Sequence, residues 1–120
     1  MTTDLLPAGW HTVTPRIVTR DVDGLVEFLR HVFGAVGDCQ VERPSEIRMG
    51  DSIIMVSGAA ERDPMPAFLY VYVGDVDVTY RLALEAGAVS VEAPQDTPYG
   101  DQRAMVTDSW GNIWQIATRK

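Results

Sequence analysis

A chain of 120 residues with 46% hydrophobic and 22% charged residues is long enough for one domain with its own core and too apolar for a disordered segment. Its formal net charge of -7 repels a duplex or an anionic bilayer, which excludes nucleic acid and membrane surfaces as expected partners. No apolar run approaches the ~20 residues that span a bilayer. The single cysteine, Cys39, has no partner for an internal disulfide, as expected of a reducing compartment.

The first residues, MTTDLLPAGWH, carry no basic segment and no long apolar core, so a cytoplasmic location is expected. Nine arginines against one lysine, Lys120, fit a GC-rich bacterial genome.

The chain then repeats itself. Residues 16–35, RIVTRDVDGLVEFLRHVFGA, are similar to residues 70–88, YVYVGDVDVTYRLALEAGA, with Asp-Val-Asp triplets at 21–23 and 75–77. Each copy starts as a strand and continues into an amphipathic helix that ends near Gly34 or Gly87. Asp21 and Asp75 are expected N-caps, since a carboxylate at the first turn meets unpaired amides and the positive helix end. The first helix spaces Leu25, Val26, Leu29, Val32 and Phe33 along one face, and the second uses Val78, Leu82, Leu84 and Ala86.

Short strands follow each helix: 37–43, 45–50 and 52–58 in the first half, then 88–93, 101–107 and 112–118 in the second. A polar stretch with two prolines, GAAERDPMP, joins the halves. The organisation is therefore a single domain: module one over about 12–58, a linker at 59–66, and module two over about 67–118. In DSWGNIWQI (108–116), a tight turn with Gly111 at positive φ is expected before the last strand.

Alternation along the strands separates a helix-facing side from an open side. In FLYVYV (68–73), Leu69, Val71 and Val73 suit the helix, while Phe68, Tyr70 and Tyr72 form an aromatic row. Ile54, Val56, Trp114 and Ile116 belong inside, and Met55 and Gln115 on the open side with Thr14. Arg16, Tyr99 and Arg103 complete a lining of aromatic rings with polar handles. Tyr99 and Arg103 are expected to close over its mouth. No carboxylate or histidine is expected on this face, so a general base is missing.

This arrangement resembles the vicinal oxygen chelate superfamily, which includes glyoxalase I, extradiol dioxygenases and bleomycin-resistance proteins. The stretches EIRMGDSIIMV (46–56) and PYGDQRAMVTDSWGNIWQIAT (98–118) are similar to its PhnB-like branch. The resemblance implies an α+β fold: two βαβββ modules forming curved mixed sheets around a central cavity, with one helix per module outside. It also implies homodimers. In metal-using members each module supplies a histidine and a glutamate to a divalent cation. Those positions fall here on Thr14 and Phe68 and on Met55 and Gln115.

These four side chains offer no imidazole, thiolate or carboxylate, and such donors are what a transition metal requires. His11 lies before the first strand, His31 is expected on the solvent side of the first helix, and Cys39 reads as a small buried hydrophobe. The sequence therefore leads to a small-molecule-binding protein with no metal, no cofactor and no catalytic residue. Its ligand side chains are Thr14, Arg16, Met55, Phe68, Tyr70, Tyr72, Tyr99, Arg103 and Gln115. A lyase, isomerase or dioxygenase of the same superfamily is the alternative.

Overall fold

The computed structural model describes residues 5–120. In chain order the elements are β1 (Arg16–Thr19), α1 (Val22–Phe33), β2 (Ser45–Met49), β3 (Ser52–Gly58), β4 (Phe68–Tyr72), α2 (Val76–Glu85), β5 (Val89–Asp96), β6 (Asp101–Thr107) and β7 (Ile113–Arg119). The fold is α+β, with two mixed sheets ordered β1-β3-β2 and β4-β7-β6-β5. The chain forms two compact units. One holds Gly34–Met65 and the chain up to Arg30; the other holds His31–Phe33 and Pro66–Lys120.

The internal repeat is visible in the pairing. In the first unit β1 runs parallel to β3 with Arg16 opposite Met55. In the second, β4 runs parallel to β7 with Tyr70 opposite Gln115. Each half thus places its first strand beside its last. The intervening helix makes that parallel crossover possible.

Both Asp-Val-Asp triplets start helices. Asp21 Oδ1 accepts from the Gly24 amide at 3.0 Å, and Asp75 Oδ1 accepts from Asp77 at 3.0 Å and Val78 at 3.2 Å. α1 stops at Gly34, whose φ of 66° is the left-handed conformation that frees its amide for the Arg30 carbonyl. Leu25, Val26, Leu29 and Val32 are buried, and so is Phe28. The Phe33 ring packs 5.2 Å from that of Trp114.

Two local expectations are corrected. The buried face of α2 is Val76, Thr79 and Ala83, whereas Val78 and Leu84 are exposed. Spacing still decides the face, since 76, 79 and 83 follow the helical period. The side chains on it are small, however, and a reading by hydrophobicity alone selects the wrong stripe. Residues 37–43 do not form a strand; only the isolated bridge between Val36 and Arg48 precedes β2. There the Arg30 guanidinium donates to the Gly37 carbonyl, and the Gln40 amide donates to Ser45 Oγ at 2.8 Å. Side chains thus take backbone groups that a ladder would need. At the other end of the first unit, the linker docks: Met65 and Val18 exchange both backbone hydrogen bonds. This covers part of the open edge of β1.

The turn before β7 is held by one buried carboxylate. Asp108 accepts from the amides of Trp110 and Asn112, from Asn112 Nδ2, each at 2.9 Å, and from Trp114 Nε1 at 2.8 Å. Gly111 has φ of 88°. Asn112 Oδ1 in turn accepts from the Ala67 amide at 2.8 Å, which fixes the entry of β4 beside β7.

Candidate functional site

Register assigns the open face of the second sheet row by row. Tyr70 is opposite Gln115, Gln115 opposite Met105, and Met105 opposite Glu92. The next row runs from Tyr72 through Ala117 and Arg103 to Gln95. Asp101 shares the face with Arg103, two residues on. On the opposite face Trp114, Ile116, Ala104 and Val106 are wholly buried. The division of β4 and β7 expected from alternation is therefore the one adopted.

On the open face an aromatic cluster is tied to charge. Tyr70 and Tyr72 meet edge to face with ring centroids 5.4 Å apart. Both hydroxyls donate to Asp101 Oδ2, at 2.7 and 2.8 Å. The Tyr70 and Tyr99 oxygens are 3.2 Å apart, Arg103 Nη1 donates to Tyr99 at 3.1 Å, and Arg103 Nη2 pairs with Glu92 Oε1 at 3.1 Å. A continuous polar chain thus links Asp101 to Glu92 through two phenols and a guanidinium. Phe68 is 64%, Tyr72 56% and Tyr99 52% exposed, so ring area remains for a partner molecule.

Asp101 anchors the cluster. Its side chain is fully buried while Arg119 Nε lies 3.0 Å from Oδ1. Thr97 Oγ1 accepts from its amide and donates to its carbonyl. Burial alone would raise its pKa, but the Tyr70 and Tyr72 hydroxyls, with Arg119, outweigh it and hold the carboxyl below its ordinary value. Tyr70 moves the other way: burial, its bonds to Tyr99 and Asp101 and the Asp101 charge all raise its pKa. Tyr99 is lowered, chiefly by its bond to Tyr70, with Arg103 adding to the effect against burial.

Glu92 and Asp101 are the residues that the sequence reading missed, and its expectation of a face without carboxylates is corrected. A period-two count from Arg103 back to Asp101, and the need of two half-buried phenols for an acceptor, were the available signals. Nor do Tyr99 and Arg103 stand apart as a closing loop. The structure joins them to Tyr70 and Glu92 on the sheet.

The first unit holds the other expected residues. Arg16 and Met55 are paired on β1 and β3, with Thr14 half-buried just before β1. Met55 is half-buried between Ile54 and Val56, which point into the core. Arg16 Nε donates to Ser57 Oγ at 2.9 Å.

A divalent cation does not fit the residues present. The four positions that resemblance assigns to metal ligands carry a hydroxyl, a thioether, a phenyl ring and an amide. Phe68 is largely exposed, and Met55 and Gln115 are half-buried. Nothing in that set offsets the desolvation of a dication. Asp101, the buried carboxylate, is already taken by two phenols and Arg119. His11 and His31 are both exposed, and no group of three or more His, Cys, Asp or Glu side chains among the described residues is placed to hold a metal. Cys39 is half-buried, its thiol pushed up by burial and by the Asp23 carboxylate.

Two helix-bearing modules, each with its first strand parallel to its last and an open sheet face, define a class of scaffold. The model of the Glyoxalase/Bleomycin resistance protein/Dioxygenase superfamily matches residues 10–116, and the chain belongs to that superfamily. Curated relatives include an uncharacterized protein of Mycobacterium bovis, 25% identical over 122 residues, covering 87% of this chain and 80% of its own length. Among solved structures, TioX from Micromonospora sp. ML1 is similar with a TM-score of 0.77 and 24% identity, covering 92% of this chain and 99% of that one. A glyoxalase/bleomycin resistance protein/dioxygenase family enzyme from Burkholderia phytofirmans PsJN follows at 0.75 and 23%, covering 88% and 95%. At those identities the structural likeness speaks for the fold.

Proposed function

We propose that the chain is a metal-free small-molecule-binding protein of the glyoxalase/bleomycin-resistance type, which takes an aromatic or conjugated ligand on the open face of its second sheet. The observation that carries this reading is the exposed aromatic surface of Phe68, Tyr72 and Tyr99 around a Tyr70 braced by Asp101. Fixed rings present stacking area without the entropy of ordering long side chains. Gln115 and Arg103 share that face and supply polar contacts. Placement in the PhnB-like branch, a cytoplasmic bacterial setting and a homodimer belong to the same proposal. The edge strands β4 and β1 are surfaces that a second copy would cover.

Calorimetric titration with indole, an uncharged aromatic probe, tests the reading. Tyr70→Ala weakens binding roughly three- to tenfold, the size of one aromatic contact, while Tyr70→Phe keeps most of it. Equal affinity in Tyr70→Ala and the parent removes Tyr70 from the site.

A second reading has its own observation, the Asp101–Tyr70–Tyr99–Arg103–Glu92 chain, which resembles an acid–base relay and would suit a metal-independent enzyme. It is the weaker of the two. Asp101 is buried, with both phenols on Oδ2 and only the Arg119 ion pair at Oδ1, and Glu92 is paired with Arg103, so both carboxylates hold other groups in place.

A further inference from the structure

The first unit carries a groove that the aromatic surface does not explain. It measures about 280 Å³ and lies against β1, β3, the 41–44 segment and the 60–62 turn. Three guanidinium groups line it, Arg16, Arg43 and Arg62, against two carboxylates, Glu42 and Glu61. None of the five is in an ion pair among the described residues. Excess positive charge in a concave site of a chain with net charge -7 concentrates small anions that the rest of the surface repels.

Arg16 distinguishes the groove from scattered surface charge. It leaves β1 on the same face as Val18, and its Nε is held by Ser57 Oγ on the paired strand at 2.9 Å. Its two Nη groups hold no hydrogen bond among the described residues. An arginine fixed through Nε presents both Nη groups as a planar fork, the match for a carboxylate. Val41, 99% exposed, and the half-buried Pro44 line the same groove and give it an apolar side.

We propose that this groove binds the carboxylate of a small organic acid, with Arg16 as the anchor and the acid's apolar part against Val41 and Pro44. Three cations against two anions leave one positive charge, which a carboxylate monoanion neutralises; a phosphate dianion would turn the site net negative in a chain already at -7. The proposal rests on the small-molecule reading above and names the class of ligand for the first unit.

The test is calorimetric titration with benzoate, benzamide, phenyl phosphate and, separately, indole. The parent binds benzoate about tenfold more tightly than benzamide, the size of one charge-assisted bidentate contact. Arg16→Gln brings the two within about twofold and leaves indole binding unchanged, while Ser57→Ala, which only frees the guanidinium, loses a smaller share of the preference. A benzoate preference that survives Arg16→Gln overturns the proposal, as does tighter binding of phenyl phosphate than of benzoate. No benzoate preference in a parent that still binds indole overturns the acid site alone. Failure of all the probes to bind overturns the small-molecule reading with it.

Discussion

The Tyr70 hydroxyl lies 2.7 Å from Asp101 Oδ2, and that carboxylate is wholly buried beneath an otherwise accessible aromatic surface. The bond crosses from the first strand of the second unit to the third, past the intervening β7. It sets the height and tilt of the Tyr70 ring, which Tyr72 then meets edge-on.

Tyr70→Phe deletes one donor to a charged acceptor that keeps Tyr72 and Arg119. A loss of about 1 kcal/mol in unfolding free energy is expected from urea denaturation, with no change in slope. The paired measurement of indole binding separates the ring from its hydroxyl.

Asp101 gives the fold a dependence on acid. Its pKa is depressed in the folded state, so its contribution is fully present above the ordinary carboxylate value near 4 and is lost as pH falls through the folded value. Urea denaturation of the parent and Asp101→Asn across this range should show the parent's advantage shrinking as the solution is acidified. A constant difference would contradict the assignment.

The alkaline limb has the opposite sign. Tyr70 is raised in the folded state, so its contribution holds below the ordinary phenol value of about 10 and declines as pH rises from there towards the folded value. Tyrosinate absorbance of the native protein should resolve a late-ionising phenol that disappears in Tyr70→Phe. Tyr99, lowered by Tyr70 and Arg103, is the early one, and Tyr99→Phe removes it.

Asp108→Ala affects stability without touching the aromatic surface. It leaves the Trp114 indole N–H and both Asn112 donors without their buried acceptor. A loss of about 3 kcal/mol or more follows for a charged acceptor with several buried donors. Thermal unfolding measures it.

Much of this was legible from periodicity. Two Asp-Val-Asp triplets at the same place in a repeat gave both helix starts, and alternation gave the buried side of β7 through Trp114 and Ile116. Where local chemistry competed with pattern, legibility ended. Small residues carry the α2 face, and side-chain bonds at Gly37 and Gln40 displace a strand. The polar cluster was hidden for a different reason. Asp101 and Tyr70 are far apart in sequence, and only the strand order β4-β7-β6 brings them together. Arg16 was recognisable as a cation on an open face, but its hydrogen bond to Ser57 depended on the parallel register of β1 and β3.

The central claim is that the family's metal positions bind no metal here, leaving an open face for an organic ligand. Thermal unfolding of the protein with and without added Zn, Ni, Mn or Fe, together with elemental analysis of material purified without chelator, tests it most directly. A resident site would add about 2.7 kcal/mol of stability with metal a hundredfold above its dissociation constant. The account predicts an unchanged midpoint and no stoichiometric metal. One equivalent of metal per chain, or a raised midpoint, would contradict it.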